Sequence, residues 1–219
     1  MVGMRDRVVL ATRSEGKLRE LRPLLEAGGW QACTLADVGV DESPDEAHLE
    51  VHDTFEDNAR AKARYFARVT GLPVLADDSG LVVDLLGGRP GVRSKRWAGR
   101  EELSGAWLDA ANNAALLDAM AVSASRTDTS DGRTAHYVCV AVWADRGREW
   151  IARGETHGRI LTAPRGTGGF GYDPLFWSDE LGATFAEADR EAKGAVSHRG
   201  RAVRAVLERV LHQPPDEIP

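Results

Sequence analysis

The hardest constraint in this sequence is a pair of aspartates, Asp77 and Asp78, set in the apolar run of residues 73–86 (PVLADDSGLVVDLL). An unpaired carboxylate costs several kcal/mol to bury, so two in succession demand partners or exposure. Strand alternation sends consecutive side chains to opposite faces. One aspartate is then placed to hold a metal while the other accepts from backbone. The competing reading is a hairpin turn, since Asp, Ser and Gly are turn formers, and the run reads as a strand, a turn and a second strand.

The chain has 219 residues. A chain of that size buries roughly 70% of its surface on folding, enough for one sizeable core. A single domain over residues 1–212, with a frayed tail at 213–219, is the expectation. Charged residues make up 28% and apolar residues 42%, a balance that argues against disorder. The formal net charge of −6 disfavours duplex nucleic acid as a partner, because affinity for duplex phosphates comes from clustered cations. No apolar run approaches the roughly 20 residues that span a bilayer, and the first residues lack a signal-peptide pattern. Two cysteines, Cys33 and Cys139, give neither a disulfide framework nor a paired metal spacing. The expectation is a cytoplasmic protein without a membrane or nucleic-acid partner.

Of the 28 cations only four are lysines: Lys17, Lys62, Lys95 and Lys193. A composition leaning so far to arginine marks each lysine as a place where a compact point charge serves better than a planar fork.

Residues 8–12 read as a buried strand and residues 14–27 as a helix with Leu18, Leu21, Leu24 and Leu25 on one face, which Pro23 should kink or divide. Residues 41–57 form an acidic loop without Lys or Arg. Thr54 caps the next helix, with Asp57 three residues on, and Phe55, Ala59, Phe66 and Val69 form its stripe. A helix is expected over 101–120 and a polar loop over 123–134. Strands 135–143 and 149–161 pair through a turn at 145–147. A last helix begins near Ser197, burying Val203, Val206, Leu207, Val210 and Leu211. Intermixed strands and helices make the class α/β or α+β.

Several segments carry chemistry. Thr12–Lys17 (TRSEGK) lies at a strand-to-helix junction, where free N–H groups and the dipole suit a phosphate; the plain alternative is that Ser14 caps the helix. The run GTGGFG, 166–171, matches G-x-G-x-x-G, but the following Tyr-Asp-Pro blocks a helix, so the dinucleotide reading fails. Residues 193–200 (KGAVSHRG) put His198 and Arg199 in a first helical turn, where cations oppose the dipole unless they share an anion. HLEVH, 48–52, offers His48, Glu50 and His52 to a metal, or merely forms an exposed loop. Asn58 and Lys62 share a helix face at i, i+4, where a snorkelling lysine is the dull explanation.

In order, ATRSEGKLREL, TFEDNARAKA, LPVLADDSGLVVDLLGGRPGVRSKRWAG, GTGGFGYDPLF and AKGAVSHRGRA resemble the inosine triphosphate pyrophosphatase family, the dITP/XTP pyrophosphatases, from Val8 to about Ala202. The resemblance implies an elongated mixed sheet with helices, α/β in class, in two lobes flanking a nucleotide-binding cleft, and a homodimer. It implies Mg²⁺-dependent hydrolysis of ITP, dITP and XTP to the monophosphate and pyrophosphate. Carried over by position, Thr12, Arg13, Ser14, Glu15, Gly16 and Lys17 hold the triphosphate. Asp78 is the proton acceptor and a metal ligand, Glu50 the second metal carboxylate with Glu46 as fallback, and Ser79 and Lys62 adjoin the substrate. Phe170, Gly171, Tyr172 and Asp173 form the base pocket, while Lys193, His198 and Arg199 read the base's oxo groups and a neighbouring phosphate.

Two departures stand out: the family usually has Asn where Ser14 stands, and the acidic loop is longer than expected. That loop holds eight of the 34 acids, leaving 26 against 28 bases elsewhere. Global acidity therefore says nothing against a metal-bridged triphosphate. Rival readings are a nucleotide sensor without turnover, a zinc hydrolase using His48, Glu50 and His52, and a pyrophosphatase for modified pyrimidine nucleotides.

Overall fold

The computed structural model describes residues 7–100, 102–124 and 132–212. The expected tail at 213–219, most of the polar loop and the expected helix start at Glu101 lie outside the described residues. The elements are β1 (Arg7–Leu10), α1 (Glu15–Ala27), β2 (Gln31–Cys33), α2 (Phe55–Thr70), β3 (Val74–Val83), α3 (Gly105–Ala124), β4 (Thr134–Asp145), β5 (Arg148–Ile160), β6 (Phe176–Ser178), β7 (Ala183–Thr184), α4 (Arg190–Val196) and α5 (His198–His212). The strands form a mixed sheet in the order β2-β1-β3-β4-β5-β6-β7. β1 runs parallel to both β2 and β3, and β6 runs antiparallel to β5 and β7. The class is α/β. Among the described residues no helix is long and apolar enough to cross a membrane.

Two compact units divide the chain. The first comprises Met1–Asp78, Cys139–Gly154 and His198–Pro219. Its strands bury alternate residues in two clusters, as a sheet covered on both faces must. Val8, Leu10 and Leu75 pack with Leu21 and Leu25 of α1 and with Val203, Val206 and Leu207 of α5. Val9, Val74 and Ala76 pack instead with Ala59, Ala63 and Phe66 of α2. The second unit, Ser79–Val138 and Glu155–Ser197, is built around Leu81, Val83, Leu116, Met120, Tyr137, Ile160, Phe176 and Phe185. Tyr137 meets Phe176 edge-on at 4.7 Å.

Local chemistry sets the helix starts. Ser14 caps α1 by accepting from the N–H of Lys17, and Thr54 caps α2 by accepting from that of Asp57, each satisfying a donor that the helix cannot. α1 is one continuous helix despite Pro23, which is exposed along with Arg19. The one intrahelical bond that Pro23 removes is therefore lost on an exposed stretch of the helix. Arg146 and Gly147, both at positive φ, make the two-residue turn between β4 and β5, the geometry that suits the twist of a hairpin.

The larger difference lies at Asp77-Asp78-Ser79-Gly80. Residues 73–86 hold no hairpin: β3 runs unbroken through the aspartates and is followed by a 3₁₀ turn at Asp84–Leu86. Partners for both carboxylates override the turn preference of the local sequence. Two stripe residues are also displaced. Val69 and Leu211 are 50% and 43% exposed, because α2 and α5 extend beyond the surfaces they cover, a limit that periodicity alone does not mark.

Candidate active site

In the first unit, α1, α2 and α5 deliver charged side chains to the two aspartates of β3. Alternation holds. Asp77 points to α1 and α5, where its Oδ2 accepts from Arg199 Nε at 3.1 Å and pairs with Lys17 Nζ at 3.1 Å. Asp78 points to α2, where its Oδ2 accepts from Asn58 Nδ2 at 3.0 Å and Oδ1 lies 3.7 Å from Lys62 Nζ. Lys62 also donates to Glu50 Oε1 at 2.6 Å. Both lysines donate to the carbonyl oxygen of Asp77, at 3.3 Å from Lys17 and 2.5 Å from Lys62. Arg199 further pairs with Glu20 of α1.

These surroundings drive the two carboxyls apart. Burial alone would raise Asp77, but Lys17, Arg199 and Lys62 outweigh it and hold the group well below the usual carboxylate range, opposite charges favouring the ionised form. Burial raises Asp78 above its ordinary value; Lys62 and Lys17 oppose that, and the charge of Glu50 adds to it. Lys62 is buried as well, yet Glu50, Asp78 and Asp77 more than offset its desolvation and keep it charged. It is therefore not a snorkelling lysine but part of a closed ionic cluster. Cys139 Sγ lies 3.7 Å from Asp77 Oδ2, and burial pushes its thiol up. A buried thiol so held is inert, because the thiolate is the reactive form.

Thr12 and Ser14 build the turn before α1, with Thr12 Oγ1 accepting from the N–H of Ser14 at 3.1 Å. Arg13 is drawn to the acidic loop, donating to both carboxylate oxygens of Glu46 and to the carbonyl of Asp41. Glu46 is thus committed to Arg13 and to the N–H of Ser43, whereas Glu50 faces Lys62 beside Asp78. His48 and His52 are exposed, and among the described residues no group of three His, Cys, Asp or Glu side chains is gathered as a metal site.

In the second unit, Asp173 organises the glycine-rich segment. Its Oδ2 accepts from the N–H of Phe170 at 2.8 Å and from Lys193 Nζ at 2.5 Å. The Lys193 ammonium lies 5.2 Å from the ring centroids of both Phe170 and Phe185, within cation–π range. Gly169 is required twice over: its φ is +72°, and an added Cβ would sit 2.0 Å from Asp173 Oδ2. Only glycine accepts both demands. Tyr172 is buried and donates from its hydroxyl to the carbonyl of Ser94 at 2.8 Å.

Sequence motifs group Lys193, His198 and Arg199 as joint readers of a base. In the fold Lys193 is bonded to Asp173, while the partners of Arg199 include Asp77 and Glu20. His198 opens α5 and is buried. That start is fixed by Gly154 of β5, where an added Cβ would lie 2.3 Å from the carbonyl oxygen of His198 and 2.6 Å from the N–H nitrogen of Ala202. Glu20 and the hub role of Asp77 are not among the residues that the sequence singles out. Glu20 lies one turn beyond Lys17 on α1, and its i, i+3 relation to that lysine is the available signal.

A mixed α/β sheet carrying a buried cluster of carboxylates, lysines and arginine beside a helix N-terminus defines an α/β protein with a preformed ionic site. The profile of the Ham1 family matches residues 8–209, and the chain belongs to that family. The dITP/XTP pyrophosphatase of Geobacter sulfurreducens is 49% identical over 199 residues, covering 90% of this chain and 92% of its own. A dITP/XTP pyrophosphatase of Thermus thermophilus is 46% identical over 210 residues, covering 95% and 94%. Among solved structures, a HAM1 protein from Coxiella burnetii matches with a TM-score of 0.78 at 35% identity, over 94% of this chain and 99% of that one. A nucleoside-triphosphatase / dITP/XTP pyrophosphatase from Mycobacterium abscessus gives 0.66 at 41% identity, over 92% and 98%.

Proposed function

We propose that this protein hydrolyses deaminated purine nucleoside triphosphates, ITP, dITP and XTP, to the monophosphate and pyrophosphate. It is a nucleoside triphosphate pyrophosphatase. The observation that carries the reading is the convergence of Lys17 and Lys62 on one carbonyl, that of Asp77, beside a buried Asp78 of raised pKa. Two compact ammonium groups gathered at one point, each within reach of a carboxylate, are donors that phosphate oxygens can share once a divalent ion offsets the carboxylates.

Asp78 and Glu50 fit a divalent cation. Both reach the Lys62 ammonium, and the charge of Glu50 contributes to the raised pKa of Asp78, so they are carboxylates that already face one cation. An oxygen-only pair suits Mg²⁺, a hard ion. When bound there, Mg²⁺ would neutralise charge on the phosphates and polarise the α-phosphorus. The cluster of Lys17, Lys62 and Arg199 with Asp77, Asp78, Glu50 and Glu20 has three cations against four carboxylates. A divalent ion would turn that balance positive, as a polyphosphate requires.

The chain's own groups then divide the work. Lys17 and the turn of Thr12, Ser14, Glu15 and Gly16 hold phosphate oxygens at the N-terminus of α1, with Arg13 bracing the acidic loop. Asp78, with Oδ2 fixed by Asn58, takes a proton from the attacking water; Ser79 adjoins the substrate. Phe170 stacks on the purine, in a loop shaped by Gly171, Tyr172 and Asp173. Lys193, together with His198 and Arg199, donates to the 6-oxo group and the neighbouring phosphate. An adenine amino group would leave those donors unpaired, which disfavours ATP. On this reading residues 1–212 act as one bilobed catalytic domain, in a cytoplasmic homodimer with no nucleic-acid polymer or membrane as partner.

The test is incubation with Mg²⁺ and ITP, XTP, ATP, GTP or dUTP separately, with identification of the first inorganic product. Pyrophosphate from ITP and XTP, and little from the others, is expected. Orthophosphate as the first product, or equal turnover of ATP, would overturn the reading.

A further inference from the structure

The second unit carries a device that none of the site residues explains. On α3, Asp109 and Asn113 stand four residues apart and hence on one helix face. Asp109 Oδ2 accepts from the N–H of Gly171 at 2.8 Å, and Asn113 Nδ2 donates to the carbonyl of the same residue at 2.9 Å. One helix face thus grips both polar groups of one peptide position. A neighbouring residue ties a second segment to the same helix: Asn112 accepts from the N–H of Ala98 at 2.8 Å and donates to the carbonyl of Lys95 at 3.1 Å. Tyr172, next to Gly171, ties to Ser94 of that second segment, and the charge of Asp109 helps raise its hydroxyl pKa behind the dominant effect of burial.

The gripped residue lies in a segment of high backbone freedom. Gly171 has a φ of +63°, two residues after Gly169 at +72°. The segment bearing Phe170 therefore has glycine's freedom on both sides of that ring. The Asp173 carboxylate fixes the N–H of Phe170 from one side. The grip of α3 on Gly171 fixes the other, and it includes a charge-assisted bond.

We propose that Asp109 and Asn113 are positioning residues that set the base preference of this site by clamping Gly171 and thereby aiming the Phe170 ring. The proposal rests on the reading of Phe170 as the purine platform. Neither side chain acts on the phosphates, so loosening the clamp degrades binding and selection of the base while leaving the hydrolytic step alone. A small displacement of a positioning surface is enough to blunt such selection.

The experiment compares wild type with Asp109→Ala, Asp109→Asn and Asn113→Ala. Steady-state kinetics with Mg²⁺ and ITP or ATP are paired with hydrogen exchange at the Gly171 amide in the free protein. In Asp109→Ala, the KM for ITP should rise on the order of 10-fold with kcat little changed, and the preference for ITP over ATP should shrink. The Gly171 amide should exchange faster. Asp109→Asn keeps an acceptor oxygen and should restore protection and most of the KM. If Asp109→Ala does not fold, Asn113→Ala removes the other half of the clamp and is read in the same way.

A freed Gly171 amide with unchanged KM and base preference would overturn the proposal, as would an equal loss of kcat in every variant. Unaltered exchange in Asp109→Ala would overturn it at the level of the clamp. Failure of the wild type to hydrolyse ITP would instead strike the functional reading, with the exchange data still reporting on the clamp.

Discussion

Asp77 and Asp78 are consecutive residues of one strand, and their carboxyl groups are shifted in opposite directions: Asp77 far below the ordinary range, Asp78 above it. Their peptide units are joined, so the cause is not local sequence but the face on which each lies. The face of α1 and α5 gives Asp77 two cations at 3.1 Å; the face of α2 gives Asp78 an amide and a lysine shared with Glu50. One carboxylate is fixed as a structural anion, and the other keeps the proton affinity a base needs.

Asp78→Asn should separate activity from stability. Because the folded state raises the pKa of Asp78, it binds the proton more tightly than the unfolded chain does. Stability therefore falls as pH rises from the ordinary carboxylate value through the raised one, and the penalty is complete once pH stands above the raised value. The variant should lose on the order of 100-fold or more in ITP hydrolysis, yet unfold at a temperature equal to or above that of the wild type. Calorimetry beside a pyrophosphate-release assay checks both. A near-normal rate would transfer the base role to Asp77 or Glu50.

Asp77→Asn should do the reverse. Its folded pKa is depressed. Its contribution is therefore present above the unfolded value of about 3.9 and is lost as pH falls toward the folded value. At neutral pH the variant leaves Arg199 and Lys17 facing a neutral amide in a buried site, at a cost of about 3–5 kcal/mol. Urea midpoints at pH 7 and at pH 3 should show the gap to wild type narrowing in acid. A gap of constant size would show that the ion pairs contribute nothing.

Lys62→Met should move the pH dependence of catalysis. Lys62 lowers the pKa of Asp78 while Glu50 raises it. Without the ammonium, the acid limb of kcat/KM should shift to higher pH. An unmoved limb would mean that Asp78 is not the group titrating in it.

Chelation should abolish hydrolysis and leave the protein folded. Lys62 already supplies a counter-ion between Glu50 and Asp78, so the two carboxylates need no metal to coexist. Excess EDTA is expected to remove activity while near-ultraviolet circular dichroism is preserved. Collapse of that signal would identify a metal required for folding.

Much of this site is legible from single residues. The scarcity of lysine marks Lys17, Lys62, Lys95 and Lys193 alike, and of these Lys17, Lys62 and Lys193 engage carboxylates in the structure. Caps at Ser14 and Thr54 are readable because capping depends on neighbours three residues away. What stays hidden depends on distant pairing. Arg199 lies 122 residues from Asp77, and no spacing rule connects them. The same pairing keeps Asp-Asp-Ser-Gly extended where local preference points to a turn. Strands as short as β6 and β7 carry too few residues for a period; β6 exists through its register with β5, and β7 through its register with β6. Asp109 and Asn113 draw no notice in the sequence because a polar helix face normally meets water, and only the structure shows it meeting Gly171.

Gly154 gives the molecule a tolerance limit of an unusual kind. Its conformation makes no demand for glycine; the demand comes from the backbone of α5 passing across it. The address of His198 and Arg199 is therefore written in a missing methyl group in another strand. A surveyor would call position 154 a benchmark: nothing reacts there, yet the first turn of α5 is levelled from it. Alanine, the smallest possible addition, would lift that turn and carry His198 and Arg199 with it.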